Sequence, residues 1–182
     1  NELPYAGQTY SNLQRRVVLM HWMRTENPRK YYTGMMGIPR ELTLVKGEEG
    51  YILRQSVIRE WKEQRVPVRE EKEQKQWEEE DVRDTALELQ LNIQGALVLS
   101  VMIYGQKITY QRKTGMLCVN GVTCKVKEDL RNLSILADRE ILEVAANDDT
   151  LLYFFETDPQ DLAGKISVEA DRNVDSWLWK VQ

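Results

Sequence analysis

From residue 85 to residue 182 one pattern repeats. A short alternating or apolar run is followed by a turn signal, and no stretch keeps a helical period. Leu87, Leu89, Leu91 and Ile93 alternate with Glu88, Gln90 and Asn92, which predicts a strand with one dry and one wet face. Ala96–Tyr104 reads as a more buried strand closed by Gly105, and Lys107–Arg112 follows it. The runs at 133–136, 141–145, 151–156, 165–170 and 176–181 complete the set. Turns are expected at Asn147-Asp148-Asp149, Asp158-Pro159 and Ala163-Gly164. Eight or nine short strands at this spacing predict an all-β, antiparallel sandwich. Trp177, Trp179 and Val181 share one face of the last strand. They are expected to seal the core as an aromatic ladder, with a ligand platform as the other reading.

Asn120-Gly121 is a strong hairpin signal. A two-residue loop there pairs Val119 with Val122, Cys118 with Thr123 and Leu117 with Cys124. The two cysteines then point to opposite faces, so no disulfide is expected between them. Free thiols lean towards a reducing, cytoplasmic compartment over a secreted one. Two cysteines and a single histidine, His21, are too few for a Cys/His metal site or a Ser-His-Asp triad. No metal or cofactor is expected.

Residues 1–58 show strand-and-turn grammar. Val17–Met23 is near-continuously apolar, and Asn27-Pro28 marks a turn. Residues 40–45 and 51–58 read as two strands joined through Lys46–Gly50. Residues 59–84 break this grammar: seventeen of the 26 are charged, and Pro67 lies among them. They are read as a charged linker, a short helix or the edge of the sandwich, because the interleaved signs give no single-sign field to steer a partner. The expected organisation is therefore 1–58, 59–84 and 85–182.

Charge and hydropathy exclude two broad classes. The longest apolar run, Ala96–Tyr104, has nine residues with Ser100 inside it, against about 20 for a membrane-spanning helix. The 25 basic and 29 acidic residues leave a net charge of −4, which gives no electrostatic support for nucleic-acid binding.

Two segments resemble glycoside hydrolase family 32, the invertases, levanases, inulinases and sucrose-6-phosphate hydrolases. The first is Tyr5-Ala6-Gly7-Gln8-Thr9-Tyr10, followed by Arg15–Met23 and then Gly34-Met35-Met36-Gly37-Ile38-Pro39-Arg40-Glu41-Leu42-Thr43-Leu44. His21 stands where the family pattern has glycine. The second segment, Ala137–Asp149, resembles the pattern Asp-Arg-Ser-x-(apolar)-Glu-Val-Phe-x-Asn-(Asp/Gly)-Gly through Asp138, Arg139, Glu143 and Asn147. Ala145 replaces the phenylalanine, and Asp149 replaces the turn glycine.

The resemblance implies strands of a final propeller blade followed by a C-terminal β-sandwich. It implies an N-terminal propeller domain as partner, a fructoside as ligand, and a homodimer as one assembly. The first residues, Asn1-Glu2-Leu3, carry no initiator methionine, and the chain is expected to be a piece of a longer one. The family pattern puts the catalytic carboxylates in Asn-Asp-Pro-Asn-Gly, Arg-Asp-Pro and Glu-Cys motifs. None of these occurs in this sequence, so no catalytic residue is assigned. By position, Trp22 and Tyr5 are expected near a sugar pocket, with blade packing as the other reading. Pro39, Arg40 and Glu41 are expected at the junction, Arg40-Glu41 as an ion pair, and Glu143 as a hydrogen-bonding or ion-pairing strand residue. Three functions remain: the non-catalytic C-terminal portion of a β-fructofuranosidase-like enzyme, a stand-alone carbohydrate-binding sandwich, or an interaction module.

Overall fold

The computed structural model describes residues 3–25, 33–83, 86–93, 95–126, 128–138, 140–157 and 163–182. The turns expected at Asn27-Pro28 and Asp158-Pro159 lie outside these residues, as does Arg139. Among the described residues the strands form two antiparallel sheets.

The first sheet is a meander of β1 (Pro4–Thr9), β2 (Val18–Met23), β3 (Met35–Met36), β4 (Arg40–Lys46) and β5 (Tyr51–Val57). Its order is β1-β2-β4-β5, with β3 paired to the far end of β2 through Trp22 and Met23. β4 and β5 form the expected hairpin, with Arg40 opposite Val57 and Lys46 opposite Tyr51.

The second sheet contains β6 (Arg65–Arg83), β7 (Ala86–Asn92), β8 (Val98–Ile103), β9 (Gln106–Gln111), β10 (Met116–Val119) and β11 (Val122–Lys125). β12 (Asn132–Asp138), β13 (Ile141–Ala146), β14 (Leu151–Glu156) and β15 (Ala163–Val181) complete it. Its order is β11-β10-β9-β8-β15-β7-β12-β13-β14, with β6 along β15. The sheet closes into a sandwich because β15 serves both layers. Its first half pairs with β8 through Ser167–Ala170, and its second half pairs with β7 through Asp175–Val181. Between the halves the β6–β15 register shifts twice, on either side of Val174. Glu73 on β6 has φ 53° there and donates its N–H to Asp175 Oδ1 at 3.0 Å. Bulges of this kind bend a strand and let it pass from one layer to the next.

Leu87, Leu89, Leu91, Leu133, Ile135 and Leu178 from one layer meet Leu99, Val101, Ile103, Ile108, Leu117 and Val168 from the other in one buried core. Each fully buried aliphatic side chain of this kind stabilises the fold by about 1.5–3 kcal/mol. The Asn120-Gly121 hairpin has the register read from the sequence, with φ of 48° and 83° at its two central residues. Cys118 and Cys124 are free.

One local expectation gains detail and three change. Residues 59–84 hold a short helix, α1 (Arg59–Glu63), and then a 19-residue strand. That strand pairs with β15 alone, and charges and Pro67 are tolerated on an edge strand because only one side of its backbone is bonded. The runs at 165–170 and 176–181 are one bent strand, and Gly164 lies near its start beside a register shift rather than in a turn. Trp177 and Trp179 do not seal the core. The inward positions of β15 are Val174, Ser176 and Leu178, so both tryptophans lie on the outer face of the sandwich, half-buried. The supposedly wet face of β7 is covered as well: Glu88 is fully buried.

Candidate functional site

The outer face of the β7–β12–β13–β14 layer is where the meander docks. Met23 packs with Ile141 and Phe154, flanked by Leu3, Met35 and Leu152. Ile38 and Val57 pack with Leu136, flanked by Trp61 of α1. Between these clusters lies the ion pair of Arg40 and Glu143, both fully buried. Glu143 Oε1 accepts the Ile38 N–H at 3.0 Å. Its Oε2 accepts from Arg40 Nε at 3.1 Å and also from Arg40 Nη2. The guanidinium also donates to the Gln55 carbonyl at 3.4 Å.

Glu41 does not pair with Arg40. Adjacent strand residues face opposite ways, and Glu41 turns to Arg16, whose Nε lies 3.0 Å from Glu41 Oε2. Arg16 also forks onto Glu60 of α1 at 2.7 and 2.9 Å. This fork is the main reason the Glu60 carboxyl falls to about 2.

A second buried acid, Glu88, gathers α1, β6 and β7. It accepts from Trp61 Nε1 at 3.1 Å, from Gln90 Nε2 at 2.8 Å, and from both Nε (2.8 Å) and Nη2 of Arg65. Arg65 lies over the Trp179 ring, 4.7 Å from its centroid. Sequence reading missed this hub. The available signal was an acid on an alternating strand near several arginines, which looks the same as a solvated face.

His21 also occupies the junction, with its ring edge-to-face on Phe154 at 5.9 Å. Burial holds its imidazole below the ordinary value, Glu143 pulls it upward, and Arg40 pushes it further down. Gly7 leaves it room, since a Cβ there would stand 2.9 Å from the His21 ring.

Tyr5 opposes Trp22 across β1 and β2, and their rings meet edge-to-face at 6.3 Å. Tyr5 is 56% exposed, and Arg24 lies over its outer face. Gly34 (φ 74°) backs directly onto the indole, where a Cβ would stand only 2.3 Å from Trp22 Nε1. Beside this pair a shallow concavity is lined by Ala6, Gln8, Thr9, Tyr10, Met20 and Met36.

The signature residues thus divide among places. Arg40 and Glu143 meet at the junction. Pro39 stands just before β4, where its carbonyl accepts the Ile58 N–H. Asp138 ends β12. Asn147 lies at the far turn, accepting the Arg131 N–H at 2.9 Å and donating to the Asp129 carbonyl at 3.2 Å. Arg139 is outside the described residues.

Neither Glu143 nor Glu88 offers a free carboxylate for glycoside cleavage. Retaining cleavage needs a nucleophile and a proton donor about 5–5.5 Å apart. Glu143 uses both its oxygens on Ile38 and Arg40, and Glu88 uses both on Arg65, Trp61 and Gln90.

No family model matches the sequence, and no curated protein matches it. Solved structures do match. The exo-inulinase from Aspergillus awamori superposes with a TM-score of 0.81 at 15% identity, over 98% of this chain and 43% of that one. A family 32 β-fructofuranosidase from Bombyx mori gives 0.76 at 16%, over 98% and 40%. A glycoside hydrolase of family 32 from Bifidobacterium adolescentis gives 0.77 at 17%, over 99% and 32%. The chain therefore has the fold that these glycoside hydrolase family 32 enzymes share over less than half of their length.

Proposed function

We propose that this chain is the non-catalytic C-terminal portion of a β-fructofuranosidase-like glycoside hydrolase, supporting the propeller domain of a sucrose- or fructan-cleaving enzyme. In this reading residues 1–58 are the last blade and junction, 59–84 the charged edge, and 85–182 the sandwich. The observation that carries it is the near-complete overlap of this chain with less than half of each such enzyme. The buried Arg40–Glu143 pair supports it, because it locks the meander to the sandwich as one rigid support.

The face of the meander with Tyr5, Tyr10 and Met36 is about half exposed, and it is the surface the preceding propeller strands would cover. Trp22 and Tyr5 then sit at the rim of the sugar pocket, where an aromatic ring stacks on a sugar's apolar face.

The test is fructose release from sucrose, inulin and levan by the purified 182-residue chain. No specific release is expected. Turnover above a heat-killed control would sink the non-catalytic reading. The reading frame upstream of Asn1 is expected to encode an Asn-Asp-Pro-Asn-Gly stretch, and a frame without it would remove the enzyme parentage.

A further inference from the structure

The meander covers only part of the sandwich's outer face. Beyond it lies an open groove of about 310 Å³, lined by Trp177 of β15, Gln90 of β7, Asn132 and Ser134 of β12, and Asp148 and Asp149 of the β13–β14 turn. Trp177, Gln90 and Ser134 lie side by side in one cross-strand row. We propose that this groove is a binding site for a neutral carbohydrate, apart from the Tyr5–Trp22 rim.

Four observations converge on that chemistry. First, one half-buried indole is surrounded by amides, a hydroxyl and carboxylates, with no lysine or arginine in the lining. An aromatic face takes a sugar's C–H surface, and amide, hydroxyl and carboxylate groups take its hydroxyls, whereas the guanidinium beside the rim, Arg131, is already engaged by Glu128 and Asp148. Second, the volume lies at the small end of the range for ligand pockets, which suits one or two sugar rings. Third, the walls are set before a ligand arrives. Trp177 stands opposite Glu70 in the β6–β15 ladder, so its backbone is held in the sheet. Asn132 and Asp148 exchange two hydrogen bonds, both at 2.8 Å, which fixes that rim. A preformed site spends less of its binding energy on ordering itself.

Fourth, Asp149 has no structural task for its side chain. Among the described residues its carboxylate makes no hydrogen bond or ion pair, and only its backbone carbonyl is engaged, by the Gln55 N–H at 2.9 Å. Yet it holds φ 62°, a conformation that glycine would adopt without strain. An unpartnered carboxylate kept under strain at the edge of a cleft is where strain commonly serves binding. Asp149 is assigned as the acceptor for two sugar hydroxyls, and Trp177 as the stacking platform.

Calorimetric titration of the whole chain tests this. The ligands are inulin-type, levan-type and malto-oligosaccharides, with inorganic phosphate as the charged comparison. Saturable binding of at least one neutral oligosaccharide is expected, and none of phosphate. Trp177→Ala and Asp149→Asn should each weaken binding by about tenfold or more. Trp177→Phe, which keeps an aromatic face, should keep most of the affinity, and Val122→Ser on the far hairpin should change nothing. Circular dichroism checks that each variant is folded. Absence of binding to every neutral oligosaccharide overturns the proposal. So does binding that survives both Trp177→Ala and Asp149→Asn, and so does tighter binding of phosphate than of any sugar. Fructose release is a separate assay, so failure here leaves the enzyme parentage standing, and the reverse holds too.

Discussion

Arg40 and Glu143 are 103 residues apart in sequence and share one dry pocket. Removing one partner leaves the other charged and desolvated. Glu143→Ala is therefore expected to cost about 3–5 kcal/mol. Arg40→Met combined with Glu143→Leu should recover most of that loss, because no orphaned charge remains. Urea unfolding of Glu143→Ala and of the double variant measures the difference, and equal losses in the two would refute the account. His21 gives a pH dependence of known sign. Its folded-state imidazole is held below 6.5, so the unfolded chain binds the proton more readily. The stability this residue contributes is complete above 6.5 and is lost as the pH falls below it towards the depressed folded value. Melting temperature followed across that interval should drop more steeply for the wild type than for His21→Gln. Parallel profiles would show that His21 does not titrate with folding.

The β13–β14 turn carries three consecutive residues with positive φ, Asn147, Asp148 and Asp149, at 50°, 59° and 62°. Asn147 and Asp148 hold the turn through their side chains, and Asp149 does not. Asp149→Gly is therefore expected to stabilise the chain by about 1 kcal/mol while removing the groove's free carboxylate. A raised unfolding midpoint with weaker sugar binding is the expected combination, and a lowered midpoint would show that Asp149 stabilises the turn. β6 and β15 obey a different rule. β6 tolerates its charges and Pro67 because only one side of its backbone is bonded, and β15 turns the corner where the register shifts beside Val174.

The molecule as a whole is a sandwich with a small sheet riveted to one outer face by two apolar clusters and one ion pair. The opposite side of that small sheet presents Tyr5, Tyr10 and Met36, and β5 presents Tyr51 at 75% exposure. Such apolar surface favours association. Sedimentation of the isolated chain is expected to show concentration-dependent dimers, and Tyr10→Lys with Met36→Glu should yield monomers. A monomer at every concentration would count against this face as an interface.

Strand positions and the Asn120-Gly121 register were readable in the sequence because they depend on neighbours. A two-residue period marks each strand, and an Asn-Gly pair supplies two positive φ angles within one turn. The all-β class follows from the same local signals. Burial on the outer face was not readable. Glu88 and Gln90 carry the same alternation, yet Glu88 is sealed under α1 and Arg65 while Gln90 lines an open groove. Whether an outward-facing residue meets water, a partner or a ligand depends on what packs over it. Here that cover comes from segments far away in sequence, as when Ile38 and Arg40 close over Glu143. Alternation tells the two faces of a strand apart, and the tertiary contacts determine which parts of the outer face stay open.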